Sequence, residues 1–276
     1  MPSRKRKADV SASGRRQKQR PKGQPAVESL TRGLQLLRCF NETRTTLTVT
    51  QLAALTKLPQ PTAWRLCKTL KDQGFLSQVA NSSHLRPGLA LLGLGFAALS
   101  STEFQEMARP ELQAIATRYG SVCSLCIRDQ LSMLYIQRCE STPLNVLNLR
   151  IGSLVPIATS PNGWAYLAGL TKPDRNGLIR LLRDEQGELW RPASKPFARA
   201  LQEFGQTGVM FNIGVFHPNV NSAAAPIAKE DGSTSYTISC SAPPSVLSAA
   251  TMRREVGPAL AALAARLTLA LRSANS

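Results

Sequence analysis

The sequence predicts an α+β protein: a small N-terminal helical domain with a hairpin, followed by a larger domain built on a mostly antiparallel sheet. The chain has 276 residues, of which 43% are apolar, and this is enough for two hydrophobic cores. Two short amphipathic helices meet at a tight turn within residues 48–72. Beyond residue 101, strand patterns come in hairpin pairs with helices between them, which is typical of an α+β domain.

The N-terminal domain is predicted to begin with a helix over residues 28–41. One apolar stripe of this helix supplies part of a core: Leu30, Leu34, Leu37 and Phe40. A second helix begins at Thr48, because Thr48 and Gln51 have the spacing of a capping box. It ends before Pro59.

The third helix, predicted over residues 60–72, has two chemically different faces. Pro61 lies in its first turn, where a missing N–H costs nothing. The apolar face carries Ala63, Leu66, Cys67 and Leu70. The opposite face presents Pro61, Trp64, Arg65 and Lys68, with Thr62 on its flank. Gly74 is predicted to end the helix.

A hairpin follows the third helix. Its first strand runs to Val79, its tip is Asn81-Ser82-Ser83, and the return strand passes through Arg86. Three helices and a hairpin make a winged helix-turn-helix, whose third helix enters the major groove of duplex DNA. The spacing alone also fits two amphipathic helices of an ordinary helical protein.

The charge is distributed unevenly along the chain. The net charge is +17, of which residues 1–25 carry +8, residues 26–100 carry +5 and residues 101–276 carry +4. Residues 1–25 have almost no apolar content, so we interpret them as a disordered basic arm that attracts phosphate groups. A tail that merely improves solubility is the alternative.

The apolar patterns favour a cytoplasmic protein with no membrane partner. The longest apolar run, residues 88–99, is too short to span a bilayer, and no targeting segment is visible. As a helix over residues 88–101, this run is apolar nearly all round and must be covered. Either a second copy of the chain or its own C-terminal domain could cover it.

Six cysteines lie within apolar patterns, and two of them form Cys123-x-x-Cys126. This motif has no second cysteine pair, and the only histidines are His84 and His217. Strand alternation would also point the two thiols to opposite faces. We therefore predict buried, reduced thiols, no metal and no cofactor.

The C-terminal domain is predicted to open with a helix that runs from residue 101 to Tyr119. A hairpin follows, with its turn at Asp129-Gln130. Further strands are predicted over residues 144–149, 208–213, 220–225 and 234–241. Further helices are predicted over residues 162–170, 174–185, 195–206 and 247–272.

Several segments of this chain together resemble the IclR family of bacterial transcription regulators. They are SLTRGLQLLRCF, LTVTQLAALTKLPQPTAWRLCKTLKDQGFL, RPGLALLGLG, IGSLVPIATSPNGWAYLAGL, AAAPI and GSTSYTISCSAPPSVL. The resemblance implies a winged helix-turn-helix over residues 26–87, a linker helix over 88–101 and a GAF-like effector-binding domain over 102–272. It also implies homodimers or dimers of dimers that control catabolic genes in response to a small organic acid, aliphatic or aromatic.

The resemblance assigns DNA contacts to six residues: Thr50, Gln60, Thr62, Trp64, Arg65 and Lys68. Trp64 departs from the family, which more often has a smaller or more polar aromatic residue there. Packing of this tryptophan against the wing is the alternative role.

The resemblance assigns the ligand pocket to eight residues: Ser160, Pro161, Asn162, Gly163, Asn212, Ser222, Ser239 and Ser241. Strand alternation agrees in part, because it places Ser239 and Ser241 on one face with Thr237. Serines below a helix N-terminus suit an anionic ligand, whereas a polar face in contact with solvent is the alternative. Asn212 stands where the family commonly has Asp, and Pro161 removes a backbone donor. These departures indicate a ligand other than the smallest keto acids, or a loss of tight binding.

Two other functions compete with that of a ligand-responsive regulator. An enzyme with an accessory DNA-binding domain would have to use His217 as its base, and no motif accompanies this histidine. An RNA-binding protein would use exposed aromatic residues for base stacking, yet aromatic residues make up only 5% of the chain. We therefore predict no catalytic residues.

Overall fold

The computed structural model describes residues 27–100, 103–141, 148–229 and 232–273. The chain divides into two compact units: the first ends at Pro87, and the second consists of Gly88–Ser276 together with Asn41–Thr43. The predicted basic arm, residues 1–25, lies outside the described residues. None of the described helices is both long enough and apolar enough to cross a membrane.

The described part of the first unit is a winged helix-turn-helix, as predicted. Its sheet has the antiparallel order β1-β3-β2. The elements in chain order are α1 (Glu28–Leu37), β1 (Leu47–Thr48), α2 (Val49–Thr56), α3 (Gln60–Asp72), β2 (Leu76–Gln78) and β3 (His84–Pro87). Its core holds six buried side chains: Leu36, Leu47, Leu52, Cys67, Leu76 and Leu85.

Local signals fix the turn between α2 and α3. The Thr48 hydroxyl accepts the Gln51 N–H at 3.2 Å, and the Gln51 side-chain oxygen accepts the Thr48 N–H at 2.8 Å. This confirms the predicted capping box. Lys57 adopts the left-handed conformation, with φ of 55°, and ends α2. Gly74, with φ of 76°, lets the chain leave α3 for the wing.

The prediction for α1 was wrong in its length and in half of its buried face, because Leu37 and Phe40 pack against the core as predicted but Leu30 and Leu34 do not. The α-helix ends at Leu37, and only a short turn with bonds between residues three apart continues to Phe40. Leu30 and Leu34 are 62% and 52% exposed. The buried side is instead centred on Gly33 and Leu36. Two overlapping apolar stripes run along this helix, and packing against α3 selects the second one.

The second unit contains a curled six-stranded antiparallel sheet in the order β6-β5-β4-β9-β8-β7. The first elements of this unit in chain order are α4 (Ala90–Ser100), α5 (Glu103–Tyr119), β4 (Val122–Asp129), β5 (Ser132–Glu140) and β6 (Leu154–Pro156). Next come α6 (Pro161–Gly169), α7 (Lys172–Glu185), α8 (Gly187–Thr207), β7 (Met210–Ile213), β8 (Asn221–Ala228) and β9 (Thr234–Ala242). The last elements are α9 (Ala249–Thr251), a π-helical turn (Met252–Val256) and α10 (Gly257–Ser273).

Two predictions for this unit need correction. In the predicted strand 144–149, residues 144–147 lie outside the described residues and 148–149 are irregular; the observed strand is β6, which pairs with β5. Helix α8 begins at Gly187 rather than residue 195, although it contains Pro192 and Pro196. The packing of Trp190 on Phe197, with ring centroids 5.3 Å apart, helps to offset the N–H groups that the prolines lack.

Helices cover both faces of the sheet and form two separate cores. On one face, α5 and α10 pack on a core that includes Cys123, Leu125 and Ile238. On the other face, α6 and α8 pack on a core that includes Cys126 and Trp164. Residues that alternate along β4 and β9 therefore reach different cores.

Candidate functional site

The outer face of α3 is exposed and cationic. Its inner face buries Ala63 and Cys67. The predicted DNA-contacting residues Gln60, Trp64, Arg65 and Lys68 are exposed, and Thr62 is half-buried. Within the part of the chain that the structure describes, neither Arg65 nor Lys68 forms an ion pair. The two charges are therefore available for an external anion.

The first turns of α2 and α3 are joined by a side-chain contact. The Gln60 amide donates to the Thr50 hydroxyl at 3.1 Å, and both residues are exposed. The structure thus brings together two of the predicted contacts that lie on different helices. Pro61 removes one backbone N–H from the first turn of α3, at the place where the Gln60 and Thr50 side chains are exposed.

Trp64 lines a groove of about 370 Å³ between α3 and the wing. The indole is 55% exposed, and the Lys68 ammonium lies 5.7 Å from its ring centroid. The other wall includes Gln78 and Ser83 of the wing, and the Lys71 ammonium donates to the Gln78 side chain at 3.2 Å. The tryptophan therefore faces the wing across a groove instead of being buried against it.

In the second unit, Asn162 is the centre of a buried polar cluster. Its amide nitrogen donates to the Ser239 hydroxyl at 3.0 Å, and its oxygen accepts the Thr237 hydroxyl at 3.0 Å. The hydroxyls of Ser124 and Ser239 lie 2.8 Å apart. Asn162 is fully buried and Ser239 is 2% exposed, so the alternative of a solvent-facing strand surface is wrong for this segment.

The loop that starts α6 is tightly packed. Ser160 caps the helix, with its hydroxyl accepting the Gly163 N–H at 3.1 Å. Pro161 is the first residue of the helix, and all three residues are buried. A Cβ atom at Gly163 would lie 2.4 Å from the backbone of Ile157. Only glycine fits there.

The remaining predicted ligand residues lie next to this loop on the same face of the sheet. The Asn212 amide donates to the Thr159 carbonyl at 2.8 Å. The hydroxyls of Ser222 and Ser241, which are paired in register, lie 2.8 Å apart. All eight predicted residues therefore gather on the side of the sheet that α6 covers.

Two members of the cluster were missed by sequence reasoning. Ser124 bonds both Asn162 and Ser239, and Tyr135 lies on the neighbouring strand, where burial raises the pKa of its hydroxyl. A small polar residue that alternates with apolar ones in β4 was the available signal for Ser124. Nothing in the local pattern distinguishes Tyr135 from an ordinary core residue.

The structure also shows where the residues weighed for a metal site and for a catalytic base lie, namely the Cys123-x-x-Cys126 motif and His217. Cys123 and Cys126 belong to opposite cores, as strand alternation predicted. Burial raises the pKa of the Cys126 thiol, and it raises the pKa of Cys67 to about 11, so both stay protonated at neutral pH. His217 is half-buried, and its ring nitrogen accepts the Asn219 N–H at 3.3 Å within the same loop.

The chain matches two family models that together cover most of its length. The IclR helix-turn-helix domain matches residues 29–80, and the C-terminal domain of bacterial transcriptional regulator IclR matches residues 96–269. The first match contains α2 and α3, and the second contains the polar cluster around Asn162.

Individual proteins agree with these matches. The transcriptional regulator TsaQ1/TsaQ2 of Comamonas testosteroni is 30% identical over 92% of this chain and 91% of its own. The repressor IclR of Escherichia coli is 31% identical over 55% of this chain and 57% of its own. A crystal structure of an IclR family transcriptional regulator from Brucella abortus has a TM-score of 0.82 and 32% identity, covering 89% of this chain and 93% of that one. These relatives are transcriptional regulators rather than enzymes, and this chain belongs to the IclR family of bacterial transcription regulators.

Proposed function

We propose that this protein binds an operator through α3 and switches catabolic genes in response to a small organic acid held in its second unit. One observation carries the DNA-binding part: the exposed face of α3 presents Arg65 and Lys68 without ion-pair partners in the described chain. A helix with such a face, beside a wing, fits the major groove and the flanking phosphates.

The six proposed contacts divide among four roles. Arg65 is central on the exposed face and suits bidentate reading of guanine. Lys68 suits a phosphate, and the Gln60–Thr50 pair can present both an amide and a hydroxyl at the start of the helix. Thr62 and Trp64 offer a methyl group and an aromatic edge, which suit apolar contact with thymine.

The first test is the substitution Arg65→Ala. We expect operator binding to weaken by about 1–3 kcal/mol and the preference at one base position to relax. Arg183→Ala, which removes an exposed arginine from α7, is the matched control and should bind the operator normally. Titrations on the operator and on single-base variants measure both effects. Unchanged affinity and unchanged base preference would remove Arg65 from this role.

The apolar residues left exposed in one chain support a homodimer, or a dimer of two such dimers. Leu92 and Leu94 of α4 are 57% and 58% exposed, whereas Leu99 packs on the core of the second unit. The unit's own core therefore covers one end of α4 only. We propose that a second copy covers the rest, because a protein that reads two half-sites needs a twofold partner.

The polar cluster in the second unit supports a carboxylate effector. Its side chains are hydroxyls and amides, and none of the eight proposed residues carries a negative charge that would repel an anion. An IclR homologue from Microbacterium hydrocarbonoxydans was crystallised with 4-hydroxybenzoate, and its fold matches this chain with a TM-score of 0.68 at 21% identity. We therefore take aromatic acids as the first class to test.

The second test removes the hydroxyls of Ser239 and Ser241 together by substitution with Ala. We expect operator binding to persist, while 4-hydroxybenzoate and aliphatic acids lose their effect on promoter output. Allosteric coupling is typically worth about 1–3 kcal/mol, so the loss of two hydrogen bonds is enough to silence it.

Thermal shifts induced by each acid are measured against each variant's own baseline, because Ser239 also bonds Asn162. Ser194→Ala removes a half-buried hydroxyl of α8 that donates to the Arg191 carbonyl of the same helix, and it is the matched control. Equal shifts in the wild type and the double variant would place the acid elsewhere.

A further inference from the structure

A small cavity lies in the second unit at the junction of α7 and α8. Its lining residues are Arg183, Gly187, Trp190, Arg191 and Ser194. The volume is about 280 Å³, near the lower limit of small-molecule sites, so its occupant must be small. None of the eight residues proposed to bind the organic acid lines this cavity, and the proposed function assigns no role to it.

Trp190 provides the cavity with a hydrogen-bond donor that the described protein does not use. The side chain is 5% exposed, and its indole N–H has no hydrogen-bond partner in the described segments of the chain. The unpaired polar side-chain atoms that are fully enclosed there include no indole nitrogen, so the Trp190 nitrogen can be reached from outside. By contrast, the buried Trp164 donates its N–H to the Ala158 carbonyl at 2.9 Å. A buried indole N–H usually has such an acceptor, and here a ligand can supply it.

Two guanidinium groups from different helices line the same cavity. Arg183 belongs to the last turn of α7 and Arg191 to the second turn of α8. Both are exposed, and neither forms an ion pair with another described residue. The acidic residues of this segment, Asp184, Glu185 and Glu188, do not line the cavity. The charged groups that do line it are therefore donors only, and guanidinium groups suit the oxygens of an oxyanion.

The start of α8 adds a positive field without a side chain in the way. Gly187 is the first residue of this 21-residue helix, and a helix N-terminus attracts anions through its free N–H groups and its dipole. A Cβ atom at Gly187 would meet nothing within 4 Å, so the space beside this backbone is open. The Ser194 hydroxyl donates to the Arg191 carbonyl at 2.9 Å, so its proton is not offered to a ligand.

From these observations we propose that the cavity binds a phosphate group, either as inorganic phosphate or as part of a small phosphate ester. The guanidinium groups of Arg183 and Arg191 bind its oxygens from two helices, and the Trp190 N–H donates to one of them. A phosphate dianion balances both guanidinium charges, whereas a monocarboxylate leaves one of them unbalanced. This separates the ligand of the cavity from the organic acid of the proposed function.

Calorimetric titration of the full-length protein at constant ionic strength tests this proposal. The probes are inorganic phosphate, glycerol 3-phosphate and acetate. We expect saturable binding of at least one phosphate compound, with acetate at least about tenfold weaker. Tighter binding of glycerol 3-phosphate would support an ester as the ligand, and tighter binding of inorganic phosphate would support the free ion.

Two variants remove the proposed contacts. Arg183→Ala/Arg191→Ala should bind phosphate at least about tenfold more weakly, which corresponds to about 1.4 kcal/mol. Trp190→Phe keeps an aromatic ring against Phe197 but removes the N–H, and it should weaken binding about threefold or more. Both arginines are exposed, so the double variant should keep its fold, and its circular dichroism spectrum checks this.

The matched control is Lys195→Ala/Arg199→Ala. It removes two exposed positive charges from α8 that do not line the cavity, and it should bind phosphate like the wild type. Residues 1–25 attract phosphate equally in every variant, so only differences between variants are assigned to the cavity. Ser239→Ala/Ser241→Ala should also bind phosphate normally, whatever that variant does to acid binding.

Four results would each overturn the proposal. They are no saturable binding of either phosphate compound, equal binding of phosphate and acetate, equal binding by the two double variants on α7 and α8, and unchanged binding by Trp190→Phe. Operator titrations of Arg183→Ala/Arg191→Ala provide a further check. A loss of operator affinity as large as that of Arg65→Ala would assign these arginines to DNA instead of a small phosphate.

Discussion

Single residues on the α6 side of the sheet join elements that are far apart in sequence. Asn162 alone connects the start of α6 with β4 and β9 through Ser124, Thr237 and Ser239. Sequence reasoning reached Asn162 only through a family resemblance. The network itself could not be predicted, because each hydrogen bond depends on a strand register that is set by the whole sheet.

We predict that the addition of a single methyl group at Gly163 lowers the free energy of unfolding of the second unit. Gly163→Ala places a methyl group 2.4 Å from the Ile157 backbone, which cannot rotate away. We expect a loss of about 1–3 kcal/mol in the free energy of unfolding, as for other overpacked sites. Denaturation followed by tryptophan fluorescence measures it, because Trp164 and Trp190 are buried in this unit.

Gly177→Ala is the control for this experiment. This glycine also lies in a helix, α7, but a Cβ atom there meets nothing within 4 Å. We expect it to stabilise the unit by about 0.5–1 kcal/mol, because alanine is the better helix former. Equal effects at the two glycines would contradict the packing argument.

At the scale of elements, prediction succeeded where the signal was local. The capping box at Thr48 and the end of α2 before Pro59 are determined by neighbouring residues, and α2 and α3 were predicted closely. Prediction failed at α1, where two apolar stripes overlap and tertiary packing selects one. It also failed at the start of α8, where packing outweighs two prolines.

The apolar surface of α4 gives a prediction about assembly. Leu92→Glu should shift the protein towards monomers and weaken operator binding, because a buried unpaired carboxylate at a subunit interface is strongly unfavourable. Sedimentation velocity at several concentrations measures the shift. Leu181→Glu, at a leucine of α7 that is 50% exposed, is the control and should leave assembly unchanged. An unaltered oligomer in Leu92→Glu would exclude this part of α4 from the interface.

At the scale of the whole molecule, the charge distribution predicts how DNA binding depends on salt. Residues 1–25 carry +8 of the net charge of +17. Deleting them should flatten the slope of log affinity against log salt concentration while the preferred operator stays the same. A variant with the arm's Lys and Arg replaced by Gln tests whether charge, rather than length, is responsible. An unchanged slope would show that the arm does not contact DNA.

The two-faced sheet of the second unit also bears on how such a regulator can diverge. In β9, Thr237 and Ser239 face the α6 side, while Tyr236, Ile238 and Cys240 belong to the other core. Substitutions on the first set leave the packing of α5 and α10 undisturbed. Under the proposed function, effector preference and scaffold stability therefore depend on separate, interleaved positions of the same strand, and a lineage can change the first while it keeps the second.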